Sequence, residues 1–265
     1  MQNKDYTFSV FTKPWKTESV EELASFLSKL GFDAIEFALR DGYQVEPKNA
    51  EKNLPKLAKT LKDYNLSIAS VASGTEENIF AACSEAGIPI IRIMAPISLK
   101  TNFLESIDEK KKELEKLLPL CEKYNVKVAV QHHYGPGVNN SMELKYLVGD
   151  FDPKYIGAIW DTAHSALAGE EPEQALDIVW SHLAMVNFKN AYYKRVNGPE
   201  AETASWKRHF TSGRHGLASW ERVSDCLKEK NYKGVICLTA EFSDEEQVNR
   251  LIAEDIQYAK SLFLK

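Results

Sequence analysis

The sequence is poor in the residues that would build a redox, zinc or secreted framework. It has 4 cysteines in 265 residues, Cys83, Cys121, Cys226 and Cys237, and none stands in a CxxC pair. Each sits in an apolar pattern and reads as a buried, reduced thiol, which excludes a disulfide scaffold and a thiolate zinc site. Long hydrophobic runs are missing: nothing approaches the roughly 18 apolar residues of a membrane span. The opening "MQNKDYTFSV" has no signal-peptide core, and a leader removed earlier is left open. A basic surplus is lacking too. The formal net charge is −5 with both signs mixed along the chain, so no stripe follows a phosphate backbone and nucleic acid is excluded as a partner. The expectation is a cytoplasmic protein with no membrane partner; whether it forms a homo-oligomer stays open. A glycine-rich phosphate loop is also absent after the first strand pattern, where "VFTKPWK" (10–16) stands.

What is present is a globular composition, 44% hydrophobic and 27% charged, with short β-branched runs alternating with amphipathic ones. The strand candidates are "TFSVF" (7–11), "DAIEFAL" (33–39), "LSIASVA" (66–72), "IPIIRIM" (88–94), "VKVAVQ" (126–131), "IGAIWD" (156–161), "LAMVNFK" (183–189) and "GVICLTAE" (234–241). Several are apolar at successive positions, as strands covered on both faces are. Between them, "SVEELASFLSKLG" (19–31) spaces Val20, Leu23, Leu27 and Leu30 by three and four and stops on Gly31. "SIDEKKKELEKLLPLCEKYN" (106–125) predicts a helix capped by Ser106 and broken by Pro119. A last helix from about Asp244 places Val248, Leu251, Ile252, Ile256 and Ala259 on one stripe. The stretch 191–215 reads as a long irregular region, either a lid or substrate contact or a plain surface excursion. Eight strands alternating with helices, without a linker, predict an α/β fold. A single (β/α)₈ TIM barrel over residues 1–265 fits better than a doubly wound open sheet.

In such a barrel chemistry collects where strands end. Those ends carry Glu36 and Arg40, Ser70 and Ser73, Arg92, then Gln131, His132 and His133. They continue with Asp161 and His164, Asn187 and Lys189, and Thr239 and Glu241. Strand alternation sends Gln131 and His133 one way, with Asn187 and Lys189, and Thr239 and Glu241, paired likewise. His132 then faces the helix layer as a hydrogen-bonded scaffold histidine. Glu36 and Arg92 suit either an ion pair inside the mouth or contact with substrate. His209, Arg214 and His215 flank the 191–215 stretch and suit either a phosphate or carboxylate ligand or simple solvation at the surface.

With these residues in hand, the chain resembles the sugar phosphate isomerase/epimerase family, the xylose-isomerase-like barrels, over its whole length. The likeness rests on "GFDAIEF" (31–37), "VKVAVQHHYG" (126–135), "IGAIWDTAHSALAG" (156–169), "LAMVNFKNA" (183–191) and "KGVICLTAEF" (233–242). "DTAH" is similar to the family's Asp-Thr-Gly-His-like run, and "GLASWERV" (216–223) to its Gly-x-x-x-Trp helix start.

The resemblance implies a divalent metal held by a Glu, an Asp, a His and a Glu at the ends of strands five to eight. That metal polarises a carbonyl so that a neighbouring C–H proton can be moved. Asp161 matches the family Asp, His164 its substrate-contacting histidine, and Lys189 the lysine beside the metal-binding His. Gln131 stands where the first Glu is expected, Asn187 where the His is, and Asn190 where an acid often follows. Thr239 or Glu241 matches the last Glu, depending on register. The implied metal set is therefore Asp161, Glu241, Gln131 and Asn187, for Mn²⁺, Mg²⁺, Co²⁺ or Zn²⁺, although amide oxygens are poor zinc ligands. The implied catalytic residues are Glu241 as base with His164 and Lys189 stabilising the oxyanion; His133, Glu36, Arg92, Arg214 and Gln131 would bind substrate. Three outcomes stay open: a metal-assisted sugar, sugar phosphate or polyol isomerase or epimerase; the same chemistry run without metal by Lys189, His164 and Glu241; or a catalytically silent sugar-binding barrel. A keto-inositol-type dehydratase shares the first step. An abasic-site endonuclease would need a histidine-rich zinc cluster and a basic groove, and the sequence has neither.

Overall fold

A strand that is apolar at every position is stable only when both its faces are covered, and the eight main strands of this chain satisfy that by closing on themselves. The computed structural model describes residues 5–264; the first four residues of the opening segment and the last residue of the chain lie outside the described residues. The strands are β1 (Tyr6–Phe11), β2 (Ala34–Ala38), β3 (Ser67–Ala72), β4 (Ile90–Met94), β5 (Lys127–Gln131), β6 (Ile156–Asp161), β7 (Leu183–Phe188), β8 (Asn190–Arg195), β9 (Trp206–Thr211) and β10 (Gly234–Leu238). The helices are α1 (Val20–Leu30), α2 (Ala50–Asp63), α3 (Glu77–Glu85), α4 (Phe103–Glu115), α5 (Leu118–Tyr124), α6 (Ser141–Val148), α7 (Thr162–Leu167), α8 (Pro172–Val179), α9 (Trp220–Glu229) and α10 (Val248–Phe263). The barrel runs β1-β2-β3-β4-β5-β6-β7-β10 and closes from β10 back to β1. Every neighbouring pair in it is parallel. This is the (β/α)₈ fold that the alternation of patterns predicted.

The period of two divides each strand between two cores. Phe8, Val10, Ile35, Phe37, Val128, Val130, Trp160 and Val186 face the helices in the large outer cluster. The inner cluster is small: Phe11, Ala38, Ala72, Ile90, Ala129, Ile159, Met185 and Cys237. Arg92, Gln131, Asp161 and Asn187 each follow one of these inner residues by two positions, so they project into the barrel one layer nearer its carboxyl end. Register staggers these residues around the barrel, with Arg92 opposite Ala129 and so one step deeper than Gln131. Asp161 lies opposite Asn187, Met94 opposite Gln131, and Asn187 opposite Cys237.

Three local expectations are corrected. Residues 191–215 are not irregular: β8 and β9 form an antiparallel ribbon, from Asn190 opposite Thr211 to Arg195 opposite Trp206. The run of aromatic and basic residues hid it, because neither ribbon face alternates cleanly with apolar side chains. The cap of α4 is Asn102, whose side chain accepts from Leu104 and Glu105 N–H, not Ser106; Pro119 does split the segment, at the start of α5. The eighth barrel strand ends at Leu238, and Ala240 takes a left-handed φ of 52°. Glu241 therefore owes its direction to that turn and not to alternation with Thr239. Among the described residues no helix is long and apolar enough to cross a membrane.

Candidate active site at the carboxyl end of the barrel

The site is built outward from Asp161, the last residue of β6 and the cap of α7. Its Oδ1 accepts from the backbone N–H of Ala163 at 3.0 Å and of His164 at 3.1 Å. Its Oδ2 accepts from Gln131 Nε2 at 2.8 Å. His132 steadies it from behind: Asp161 N–H donates to His132 Nε2 at 2.8 Å, which leaves Nδ1–H to point at the Asn139 carbonyl. A carboxylate at a helix N-terminus is doubly favoured, by the free N–H groups and by the dipole. The two adjacent histidines thus divide, His132 serving the scaffold and His133 lining the cavity.

A polar chain continues around the barrel from Gln131. Its Oε1 accepts from Arg92 Nη1. Arg92 Nε donates to Glu36 Oε1 at 2.7 Å, and Glu36 also accepts from Ser70 Oγ at 3.1 Å. The guanidinium stacks 4.5 Å from the Phe11 ring centre. Glu36 and Arg92 are 0% and 6% exposed, so the expected ion pair exists and is buried.

Above this layer opens a cavity of about 850 Å³, lined among others by Lys13, His133, Tyr134, Lys189, Phe210 and Glu241. Lys189 is held through its backbone: its N–H donates to Thr162 Oγ1 at 3.0 Å, and its carbonyl accepts from Thr162 Oγ1 and Trp220 Nε1. Its ammonium donates to Glu241 Oε2 at 2.8 Å and lies 4.2 Å from the Phe210 ring centre. Glu241 Oε1 takes a second ammonium, from Lys13. Burial works to raise the Glu241 pKa, but Lys189 and Lys13 outweigh it and hold the carboxylate far below its usual range. Burial first, and then Lys189, lower the His133 pKa, so its imidazole is neutral near pH 7. His133 Nδ1 lies 2.9 Å from the Tyr134 carbonyl, which can only accept, so the proton sits on Nδ1 and Nε2 keeps its lone pair.

His164 and Asn187 complete the inner layer. Burial, reinforced by Lys189, pushes the His164 pKa well below its ordinary value. Both His164 nitrogens, and the side-chain oxygen and nitrogen of Asn187, have no hydrogen-bond partner despite complete burial. Such groups in a native interior are held for a ligand or a water. Asn190 is the opposite case. Its amide bonds the carbonyls of Gly213 and Ala218 and the N–H groups of Ala191 and Ala218, so it anchors the ribbon to the barrel.

Arg214 is drawn away from the mouth. Gly213 N–H donates to Asp255 Oδ1 at 2.8 Å, and the next guanidinium packs 3.6 Å from the Tyr258 ring centre on α10. Sequence reasoning missed Lys13, Tyr134 and Phe210. Lys13 stands two residues beyond β1, so the strand-end rule applied to the first strand would have found it.

Of the four expected metal donors, Gln131, Asp161 and Asn187 share the inner layer and Glu241 lines the cavity above it, and all but Asn187 are already engaged. Gln131 Oε1 is taken by Arg92, Asp161 has both oxygens engaged, and Glu241 is shared between two lysines. Among the described residues no group of three or more His, Cys, Asp or Glu could hold a metal ion. The charges of Arg92, Lys189 and Lys13 already balance those of Glu36, Asp161 and Glu241. An added dication would therefore enter a site whose carboxylates are already matched by cations, without the surplus negative charge that offsets a 2+ ion.

The family described as "Xylose isomerase-like TIM barrel" matches residues 24–262. An inosose dehydratase of Lactiplantibacillus plantarum is 30% identical over 149 residues, 54% of this chain and 49% of that protein. The chain spans about half the length of the first curated relatives it matches, 49% and 48%. Among solved structures, a probable 3-DHS dehydratase of Bacillus anthracis superposes with a TM-score of 0.73 at 15% identity, covering 95% of this chain and 97% of the other. The IOLI protein, crystallised with a zinc atom, superposes with a TM-score of 0.72 at 16% identity, covering 97% and 96%. At those identities the structures speak for the fold.

Proposed function

Because this chain belongs to the xylose isomerase-like TIM barrel family, we propose that it is an enzyme that moves a proton beside the carbonyl of a small polyhydroxylated ketone, a ketose or keto-cyclitol, and so isomerises or epimerises it. The observation that carries this reading is the pairing, across one cavity, of a neutral imidazole with a free Nε2 and a fixed ammonium, His133 and Lys189. A base near neutrality and a cation facing the developing enolate oxygen are what α-proton transfer needs. Asp161 holds α7 and Gln131 in place. Glu241, too weak a base between two lysines, positions Lys189 rather than taking the proton. His164 and Asn187 supply neutral donors and acceptors for substrate oxygens. This assigns proton abstraction to His133, where the sequence suggested Glu241. Four buried free cysteines suit a reducing compartment such as the cytoplasm.

A second reading, loss of water from a keto-inositol after the same first step, is favoured by the names of the curated relatives. A panel of ketopentoses, ketohexoses, their phosphates and a keto-inositol, followed by proton NMR, tests both. Conversion of at least one ketone to an isomer, an epimer or an unsaturated product is expected. A panel left unchanged would remove the enzyme reading in favour of a binding protein.

A further inference from the structure

We infer that the Arg92 guanidinium, anchored to Glu36, supplies the positive charge that a divalent metal would otherwise bring, and that the barrel does not bind a divalent ion. Arg92 is an inward residue of β4, two positions after Ile90. Its side chain runs to the end of β5 and occupies the amide oxygen of Gln131, a donor on the metal side of the barrel. Glu36, on β2, holds the guanidinium from the other side at 2.7 Å, and the aromatic face of Phe11 packs 4.5 Å away. Arg92 is thus fixed on three sides: one charged partner, one polar partner and one ring.

Changes at the other expected metal positions fit this arrangement. Where the resemblance places a glutamate, Gln131 accepts from Arg92 through its oxygen and donates to Asp161 through its nitrogen. A glutamate there could not donate to Asp161, and the two carboxylates would repel each other without a cation between them. Where the resemblance places a histidine, Asn187 offers a neutral amide with both polar atoms free of protein partners. The single amide of Gln131 therefore links the guanidinium to the carboxylate, the link that a metal would otherwise make. The inference does not depend on which ketone is the substrate, or on whether the proposed reaction occurs.

The test is metal binding measured calorimetrically and by thermal unfolding, with Mn²⁺ and Zn²⁺ as probes and no substrate. The wild-type chain is expected to show no saturable binding, no rise in melting temperature with Mn²⁺ and no fall with EDTA. The double variant Q131E/N187H restores two donors but keeps the guanidinium, and it is expected to remain without saturable binding. Adding E36Q and R92M, which removes the buried ion pair as a unit, is expected to produce saturable Mn²⁺ binding that Asp161→Asn abolishes. One Mn²⁺ bound per wild-type chain and lost on Asp161→Asn would overturn the inference. So would a double variant that binds as tightly as the quadruple one, or a folded quadruple variant that binds nothing. Circular dichroism establishes folding; should the quadruple variant fail to fold, the wild-type and double-variant titrations decide alone.

Discussion

Asp255 shows how one buried group writes itself into the stability curve. Burial pushes its carboxyl pKa from 3.8 up to about 7, against the stabilising N–H of Gly213. Between those values the folded state holds a proton that the unfolded chain has released. Stability is therefore lost as pH rises from about 4 through 7, and the penalty is complete above 7. Asn keeps an oxygen for the Gly213 N–H and has no charge to desolvate. Asp255→Asn is expected to be more stable than wild type at pH 8 by about 3 kcal/mol, from roughly 1.4 kcal/mol per pKa unit with allowance for the oxygen it retains. The gain should largely disappear at pH 4. Urea unfolding at the two pH values checks this, and an equal difference at both would contradict it. Glu241 has the opposite sign. Its lowered pKa adds stability that is present above the ordinary carboxylate range and is lost as pH falls towards its folded value.

At the scale of elements, the β8–β9 ribbon contributes Phe210 to the cavity wall, set against the Lys189 ammonium and 5.6 Å from the Tyr134 ring. A cation over an aromatic face contributes about 0.5–2 kcal/mol. Phe210→Ala is expected to raise KM for the substrate about 3- to 30-fold while the melting temperature changes little, since Phe210 is only half-buried. A KM equal to that of wild type would remove the ribbon from substrate binding. The ribbon also marks where the sequence stopped being legible. Barrel strands announce themselves because continuous β-branched runs have no other stable home, and inward polar residues at their ends follow from the period of two. That makes Arg92, Gln131, Asp161 and Asn187 legible in the sequence as inward polar residues. "AYYKR" and "WKRHF" carry no such signal, since the ribbon packs one residue at a time against the mouth. The turn at Ala240 was hidden for a similar reason: a left-handed alanine has no sequence signature of the kind that glycine gives. The engagement of Gln131 by Arg92 depends on a long side chain crossing between strands, which strand-by-strand reading does not see.

At the scale of the molecule, closure joins the two ends of the chain. β1 pairs with β10, and α10 seals the seam with Phe263, whose ring lies 4.8 Å from Tyr6, 6.0 Å from Phe8 and 5.9 Å from Phe188. Truncating a buried Phe to Ala costs about 3–5 kcal/mol. Phe263→Ala is therefore expected to lower stability by about that much. Tryptophan fluorescence and far-ultraviolet dichroism should still report one coincident unfolding transition, because the seam belongs to the same cooperative unit as the barrel. Two separated transitions would show that the seam opens by itself. The closed barrel is also what brings His133, just beyond β5, and Lys189, just beyond β7, to one cavity, and the proposed function rests on that convergence. Solvent deuterium entering the carbon beside the carbonyl, followed by NMR with a ketone that the enzyme accepts, tests it most directly. Incorporation by the wild-type chain is expected, with a rate lower by about 10²- to 10⁴-fold in His133→Gln, the usual contribution of a general base. Product formed without deuterium, or a His133→Gln variant exchanging at the wild-type rate, would contradict it.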